Sequence, residues 1–262
     1  MVKVLKILAI TFLVLIILFT IYFVIEDVLG GSPKPVIREL GQFFLDNTYN
    51  IYYRKWWSGS PETVTAILWD YRGLDTIFET TVLYIAIIGC MVLAYKPLAN
   101  ILKRYEKEKH GLTLIVKTTV KIIIVLIAIV SINLALRGYI SPGGGFAGGS
   151  AYAIAPLIVI AGYSIYYLLS MGYSLSKSAI LRSIGLIVLV IIAVIPLIHL
   201  GYILQNQMKT YALFPGYPVK IGPFYIGGTL IFMNIGEFLI VSMEFIMIFI
   251  LISLYTRGGE ES

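Results

Sequence analysis

The chain has 262 residues, of which 59% are hydrophobic and 13% are charged, and its formal net charge is +6. Soluble globular domains carry about 25% charged residues, so this composition excludes an ordinary soluble domain. The basic excess does not indicate nucleic-acid binding, because its residues flank apolar segments, where membrane topology favours Lys and Arg.

Six apolar runs are long enough to cross a hydrocarbon layer of about 30 Å, which takes roughly 20 helical residues. They predict an all-α integral membrane protein with about six transmembrane helices. We interpret the first run as a retained helix rather than a signal peptide, because it ends in Glu26-Asp27 without a small-residue cleavage site. The runs lie near residues 4–25, 74–95, 115–136, 146–169, 181–204 and 227–255.

Basic residues set the predicted orientation of these helices. Lys103, Arg104 and Lys107 lie between the second and third runs, and Lys177 and Arg182 lie in the next loop on the same side. Lys and Arg are enriched in cytoplasmic loops. The sequence therefore predicts a multi-pass protein of the plasma membrane with both termini in the cytoplasm.

The longest segment between spans covers residues 26–73 and is predicted to lie outside. Apolar residues from Val36 to Phe44 recur at helical spacing, and Tyr52, Trp56 and Trp57 follow. This pattern is typical of an outer interfacial helix that ends in an aromatic belt. Such a helix either anchors the chain at the membrane surface or docks a partner subunit, and the sequence leaves both open.

A glycine-rich segment, SPGGGFAGG, joins the third and fourth runs. Glycine tolerates positive φ and close backbone approach, so the segment predicts a shaped turn that leads into a closely packed helix. It also matches GxGxxG, but no strand precedes it in a βαβ unit, so we expect no nucleotide. Its motif residues are Pro142, Gly143, Gly144, Gly145, Phe146, Gly148 and Gly149.

Metal and redox centres lack ligands in this sequence. The one cysteine is Cys90, and the two histidines are His110 and His199. Iron–sulfur clusters need several thiolates and a bis-histidine haem needs two facing imidazoles. We therefore expect no cofactor, no metal beyond transient Na⁺, and no electron transfer within this chain.

Two glutamates in the last run are candidates for ion translocation, because a charge near the bilayer centre is costly unless it faces protein or water. Glu237 and Glu244 lie seven residues apart, which is nearly two helical turns, so both project from one face. Asn234 precedes Glu237 by about one turn and could orient it. Each glutamate is either a proton relay or cation ligand, or a structural group that bonds a neighbouring helix.

Three further ionisable residues are weaker candidates. Asp75 and Glu79 form an i, i+4 pair in the second run, and Glu79 lies deeper, which favours it for ion translocation. Lys121 follows Lys117 by one turn at the inner end of the third run. Lys121 either takes part in a proton pathway or extends its ammonium to lipid phosphates, as lysines at helix ends commonly do.

The SPGGGFAGG motif with its following apolar helix resembles the signature of the MnhB/MrpB subunits of multisubunit Mrp-type Na⁺/H⁺ antiporters. Asn234 and Gly236 are similar to the acidic or amide residue and the glycine in the last helix of those subunits. The resemblance implies a module with four transmembrane helices over residues 101–262. Residues 137–141 lack the histidine that usually precedes the family's motif, so a proton role for that histidine does not transfer.

A second resemblance covers residues 63–96, which are similar to the C-terminal, MbhE-like module of the large MrpA subunit. It implies that residues 1–100 form a module of two transmembrane helices and an outer loop. Such modules occur in Mrp antiporters and in archaeal membrane-bound hydrogenase and sulfur-reducing complexes. The implied partners are antiporter-like membrane subunits, with hydrogenase-like and iron–sulfur subunits in a redox-driven host. The motif residues are Asp70, Arg72, Gly73, Asp75, Thr76 and Glu79.

These observations lead to two main hypotheses. The first is a membrane subunit without a catalytic residue of its own, which helps to exchange sodium for protons through Glu79 or Glu237. Its host is either an Mrp antiporter or a redox-driven oxidoreductase. The second is a scaffold that assembles neighbouring membrane subunits without conducting ions. A stand-alone transporter is a third hypothesis, which the lack of a clear inverted repeat disfavours.

Overall fold

The computed structural model describes residues 2–25, 36–53, 55–104, 111–200, 202–206 and 216–259. Parts of the predicted topology lie outside these residues, namely the inner-loop positions Lys107 and His110 and the start of the outer segment at 26–35. The side chains of Lys103, Arg104 and His199 also lie outside the description.

The described residues form ten α-helices, one π-helical turn and two short strands. Five of the helices are long and apolar enough to cross a membrane, and they make the chain an all-α, multi-pass membrane protein, as the sequence predicts. These five are the fourth, fifth, sixth, eighth and tenth. In chain order the elements are α1 (Val2–Ile25), α2 (Glu39–Thr48), α3 (Thr63–Ala66), the π-helical turn (Ile67–Tyr71), α4 (Gly73–Arg104), α5 (Leu114–Arg137), α6 (Gly145–Gly162), α7 (Ile165–Ser170), α8 (Leu175–Val194), α9 (Leu197–Leu200), β1 (Lys220–Ile221), β2 (Phe224–Tyr225) and α10 (Thr229–Gly259).

The chain divides into two compact units, residues 1–42 and 43–262. In the first unit, α1 coincides with the first predicted span and exposes large apolar side chains such as Phe12 and Phe19. A helix that is apolar on every side needs lipid or protein around it. The described apolar stretch of α1, Ile10–Phe23, is shorter than the five long candidate spans.

The structure corrects the predicted bounds of the fourth and fifth spans. The run at 146–169 is not one helix, because α6 ends at Gly162 and a separate short helix, α7, follows. The helix predicted at 181–204 begins at Leu175 and ends at Val194. Its start is stabilised by Ser174, whose hydroxyl accepts a hydrogen bond from the Lys177 amide at 3.3 Å. Arg182, predicted in a loop, therefore lies inside α8.

The last helix, α10, is the centre of the second unit. It packs against α4, α6 and α8, while α5 packs against α6. A helix surrounded by other helices is mostly apolar on all sides, and α10 has this composition apart from a few buried polar residues. Its fully buried side chains include Met233, Ile240, Ile246, Ile250 and Leu254.

Polar contacts connect the segment before α4 to the turn between α5 and α6. The Ser60 hydroxyl donates to the Tyr139 carbonyl at 2.7 Å, and the Thr65 hydroxyl donates to the Gly138 carbonyl at 2.6 Å. Buried polar groups need such partners. These bonds hold the π-helical turn beside the start of α6, where the SPGGGFAGG motif lies.

Candidate functional site

The glycine motif forms a turn that most other residues could not adopt. Gly143 and Gly144 have φ values of +157° and +130°, which L-residues with a side chain rarely adopt. The Gly144 amide donates to the Leu134 carbonyl at 3.1 Å, and a Cβ on Gly143 would lie 2.8 Å from that same oxygen. The turn therefore packs directly on the last turns of α5.

The first turn of α6 is capped by a carboxylate from another helix. Gly144 precedes α6 and offers no side-chain cap. In its place, Glu237 Oε2 on α10 accepts a hydrogen bond from the Phe146 amide at 3.0 Å. Helix N-termini carry unpaired amides and a partial positive charge, so they favour a carboxylate at this position. Glu237 is only 6% exposed, which makes this amide its main polar partner.

Asn234 extends the same polar cluster toward the π-helical turn. Its Oδ1 accepts a hydrogen bond from the indole N–H of Trp69 at 3.0 Å, and both side chains are buried. Its Nδ2 is buried and has no hydrogen-bond partner among the residues that the structure describes. A Cβ on Gly138 would lie 2.9 Å from that nitrogen. A buried unpaired amide is costly, so this part of the cluster has capacity for a further acceptor such as water.

Glycines allow the close approach of the helices around this cluster. A Cβ on Gly145 would lie 2.6 Å from Glu237 Cβ, and a Cβ on Gly149 would lie 2.9 Å from Val241 Cβ, so this face of α6 contacts α10. A Cβ on Gly148 would lie 2.7 Å from the Ser131 carbonyl oxygen on α5. Small residues at helix interfaces permit such packing in membranes.

A second close contact joins α8 to α10. A Cβ on Gly236 would lie 2.9 Å from the Leu189 side chain and 3.1 Å from the Gly185 carbonyl oxygen. Gly236 therefore allows α8 to pack next to the turn of α10 that carries Asn234 and Glu237.

Glu244 has a cationic neighbour on α8. Its Oε1 lies 4.0 Å from Arg182 Nη1, and the two side chains are 1% and 3% exposed. The guanidinium carbon of Arg182 also lies 3.9 Å from the centre of the Tyr84 ring. Within the described part of the chain, both carboxylate oxygens of Glu244 lack a hydrogen bond, and the 4.0 Å between Oε1 and Arg182 is too long for one. The two charges attract each other across a gap.

The other predicted candidates are exposed on the surface of the chain. Glu79 is exposed on α4. Asp75 pairs with Arg72 at 2.5 Å in an exposed ion pair at the start of α4. Lys121 is exposed on α5. Because all three are exposed, none of them belongs to the buried cluster of Glu237 and Asn234.

A separate polar network lies before α4 and α10, outside the membrane-spanning segments. Asn206 Oδ1 accepts hydrogen bonds from the amides of Thr229 and Leu230 at 2.7 and 3.2 Å and so caps α10. The backbone N–H of Asn206 donates a hydrogen bond to Asp70 Oδ1 at 2.9 Å. Burial raises the pKa of Asp70 to about 6, although this hydrogen bond opposes the shift.

Sequence reasoning missed several residues of these clusters. Trp69 and Asn206 bond to α10 from segments predicted as outer loop, and no periodicity marks such long-range contacts. The rule that basic residues are enriched in inner loops places Arg182 in a loop, whereas the structure places it inside α8. A usable signal was present in Ser174, since serine before a helix is a strong start signal. Among the described residues, no group of three or more His, Cys, Asp or Glu side chains could hold a metal ion.

Comparisons with known proteins agree with this architecture. The family model "Domain related to MnhB subunit of Na+/H+ antiporter" matches residues 115–247, which is just over half of the 262-residue chain. A chain of the membrane-bound sulfane sulfur reductase, an archaeal respiratory membrane complex, has a similar structure with a TM-score of 0.66 and 22% identity. That similarity covers 95% of this chain and 98% of the other.

A chain of the Mrp complex from Dietzia sp. DQ12-45-1b is also similar, with a TM-score of 0.61 and 18% identity. The similarity covers 87% of this chain, which spans only 24% of that longer chain. No curated protein matches the sequence. At these identities the two solved structures show a shared fold.

Proposed function

The chain belongs to the family defined by a domain related to the MnhB subunit of Na⁺/H⁺ antiporters, and on this premise we propose that it contributes to sodium and proton translocation as a membrane subunit of an Mrp-type antiporter module. The observation that carries the proposal is Glu237, a carboxylate buried inside the helix bundle at the N-terminus of α6. Intramembrane ionisable groups are rare and commonly functional.

Glu237 is suited to reversible proton binding because opposing effects act on its charge. Its apolar surroundings disfavour the ionised form, whereas the Phe146 amide and the N-terminus of α6 favour it. A carboxylate held in such a balance can change its proton occupancy when a nearby charge or water access changes. The unpaired Nδ2 of Asn234 provides a donor for a water molecule one helical turn away.

Glu79 is the second residue of the proposed pathway. It lies in the candidate span Gly73–Ala94 but is exposed on the isolated chain. An exposed carboxylate within hydrocarbon needs water or a protein partner. We assign Glu79 to the junction with a neighbouring subunit, from which a proton or Na⁺ passes toward Glu237. Glu244 is a less favoured ion carrier, because Arg182 already neutralises its charge.

The test is sodium/proton exchange in vesicles that contain the assembled complex. Glu237→Gln and Glu79→Gln should each abolish sodium-dependent proton exchange while subunit composition stays normal. Glu39→Gln changes an exposed glutamate of α2 and should leave exchange intact. Normal exchange in the Glu237 variant, at normal assembly, would remove this residue from the pathway.

A scaffold role is the second candidate, and the contact between Gly145 and Glu237 favours it. Glu237 already serves a structural purpose as the cap of α6, and glycines carry the close contacts of α6 with α5 and α10. A scaffold would lose assembly when Gly148 is replaced by a bulky residue and would tolerate Glu237→Gln. The two candidates therefore predict opposite results for the same glutamate.

The host and neighbours of this subunit are part of the same proposal. We assign the chain to the plasma membrane with both termini in the cytoplasm, and to a complex with antiporter-like membrane subunits. Its two-module division, residues 1–100 and 101–262, remains a prediction. Purification through a tag on this chain, followed by mass spectrometry, decides the host: hydrogenase-like and iron–sulfur subunits indicate a redox-driven complex, whereas antiporter-like subunits alone indicate an exchanger.

A further inference from the structure

An apolar groove of about 330 Å³ lies on the outside of the helix bundle, away from Glu237. It runs along α5 from Ile124 to Ile132 and is closed on its other side by α6 and by the segment after α7. Pro156 and Met171 contribute to these walls. Its volume falls in the range of roughly 300–1,000 Å³ that is typical of small-molecule sites.

The groove is open where lipid surrounds the chain. Val125, Ile129 and Ile132 line it and are 55%, 60% and 44% exposed. Inside a membrane, a groove with such walls is filled by apolar material rather than by water. From Ile124 to Ile132 the helical rise is about 12 Å. This length fits within one leaflet of a hydrocarbon core about 30 Å thick.

One end of the groove carries a cluster of cations. Lys121 lies on the same face of α5 as the groove, about 4.5 Å along the helix axis from Ile124, and it is exposed. Lys117 lies one turn further along, with its ammonium 5.7 Å from the centre of the Tyr163 ring. Lys177 lies near the Met171 side of the groove, since its ammonium would be 3.5 Å from a Cβ on Gly172.

The part of the sequence that forms the groove contains basic residues and no acidic ones. Residues 111–200, which supply every wall of the groove, contain no Asp or Glu. An acyl-chain groove that ends at these ammonium groups matches the two parts of an anionic phospholipid. Lysine side chains at the membrane surface commonly place their ammonium groups at phosphate level.

We propose that this groove binds one anionic phospholipid, with an acyl chain along α5 and the phosphate at Lys121 and Lys117. The Tyr152 and Tyr173 hydroxyls, 3.1 Å apart, belong to residues that line the groove and provide polar groups along the acyl path. The site does not involve Glu237 or Glu79, so it stands independently of the proposed ion pathway.

Native mass spectrometry of the full chain, purified with its accompanying subunits and then delipidated, tests the proposal. The protein is titrated with phosphatidylglycerol and, separately, with phosphatidylcholine that has the same acyl chains. Phosphatidylglycerol should bind at one site with clear preference. The double variant Lys117→Gln/Lys121→Gln should weaken its binding about thirtyfold, if each lysine contributes the usual electrostatic attraction to an anionic lipid.

Two matched controls separate this site from general charge or bulk effects. Lys55→Gln/Lys220→Gln removes two lysines that also lie over aromatic rings and should leave binding unchanged. Ile129→Trp fills the groove and should abolish binding, whereas Val130→Trp, at an exposed position outside the groove, should not. The Trp pair keeps the test valid if the lysine variant folds poorly.

Three results would overturn the proposal. Equal binding of both lipids would exclude the phosphate contact at the lysines. Full competition by inorganic phosphate would exclude a role for the acyl groove. Density for a helix of a neighbouring subunit in the groove of the intact complex would show that protein, rather than lipid, covers this face.

Discussion

The carboxylate of Glu237 and the backbone amide of Phe146 join the last helix to the first turn of α6, at 3.0 Å. This one bond links the acidic residue of α10 to the glycine motif, two features that lie 91 residues apart in the sequence. It places a negative charge where the helix supplies a partial positive charge. The glycines and the glutamate therefore form one site rather than two separate sequence features.

The first prediction separates the capping role of Glu237 from its charge. Glu237→Gln keeps an oxygen acceptor for the Phe146 amide, so the thermal midpoint of the purified protein should change little. Glu237→Ala leaves that part-buried amide without its carboxylate partner and should destabilise the fold by about 1–3 kcal/mol. Thermal unfolding of both variants in the same detergent checks the difference. Equal midpoints for the two variants would show that the bond does not stabilise α6.

The second prediction concerns the contact between α6 and α10. A methyl group at residue 145 would meet the Asn234 carbonyl oxygen at 2.5 Å and Glu237 Cβ at 2.6 Å. Because the nearest of these atoms belongs to the helix backbone and cannot move easily, Gly145→Ala should lower the free energy of unfolding by about 1–3 kcal/mol through overpacking. Thermal unfolding measures this cost. Gly89→Ala is the control, since a methyl group there meets nothing within 4 Å and should cause no loss of stability.

The helices of this protein are largely predictable from its sequence because hydrocarbon demands long apolar segments. The five long helices each overlap a predicted run, although the bounds of α6 and α8 differ from those predicted, and the glycine motif marks the start of α6. Helix ends are less predictable, since they depend on caps such as Ser174 that allow a helix to begin before its apolar run. That is why Arg182 was expected outside the membrane.

The candidate site was only partly predictable for a different reason. Spacing along α10 relates Asn234 to Glu237, because both belong to one helix. Spacing cannot show that Trp69 donates to Asn234 or that Arg182 faces Glu244, because these contacts join separate helices. Nor could it show that Glu79 is exposed on this chain, since side-chain exposure depends on which face of α4 packs against α10.

The third prediction concerns the buried pair of Arg182 and Glu244. Removing one partner leaves an uncompensated buried charge, so Arg182→Met or Glu244→Leu should each destabilise the protein by about 3–5 kcal/mol. The double variant Arg182→Met/Glu244→Leu should recover much of that loss, because it removes both charges together. Thermal unfolding of the three variants gives the coupling between the two side chains.

An exposed ion pair in the same chain is the control for this set of single and double variants. Arg72 and Asp75 are closer together, at 2.5 Å, but their side chains are 65% and 61% exposed. Arg72→Gln should therefore cost less than about 1 kcal/mol. If Arg182→Met cost no more than Arg72→Gln, the attraction between Arg182 and Glu244 across their gap would not contribute to stability.

The last prediction concerns the pH dependence of stability at Asp70. Burial raises the pKa of this carboxyl from 3.8 to about 6, so between these values the folded state binds a proton that the unfolded state has released. The stability that this proton confers on the folded state is fully present below about pH 4 and is lost as the pH rises through 6. The loss is at most about 3 kcal/mol. Asp70→Asn should remove this pH-dependent loss of stability, because the side-chain amide keeps an acceptor for the backbone N–H of Asn206 without carrying a charge.

Thermal midpoints of the Asp70→Asn variant should thus lie above those of the wild type at pH 7 and approach them at pH 4. Asp75→Asn removes an exposed carboxylate and should retain the wild-type pH profile, and an Asp70→Asn profile parallel to that of the wild type would show that this carboxyl does not set the slope.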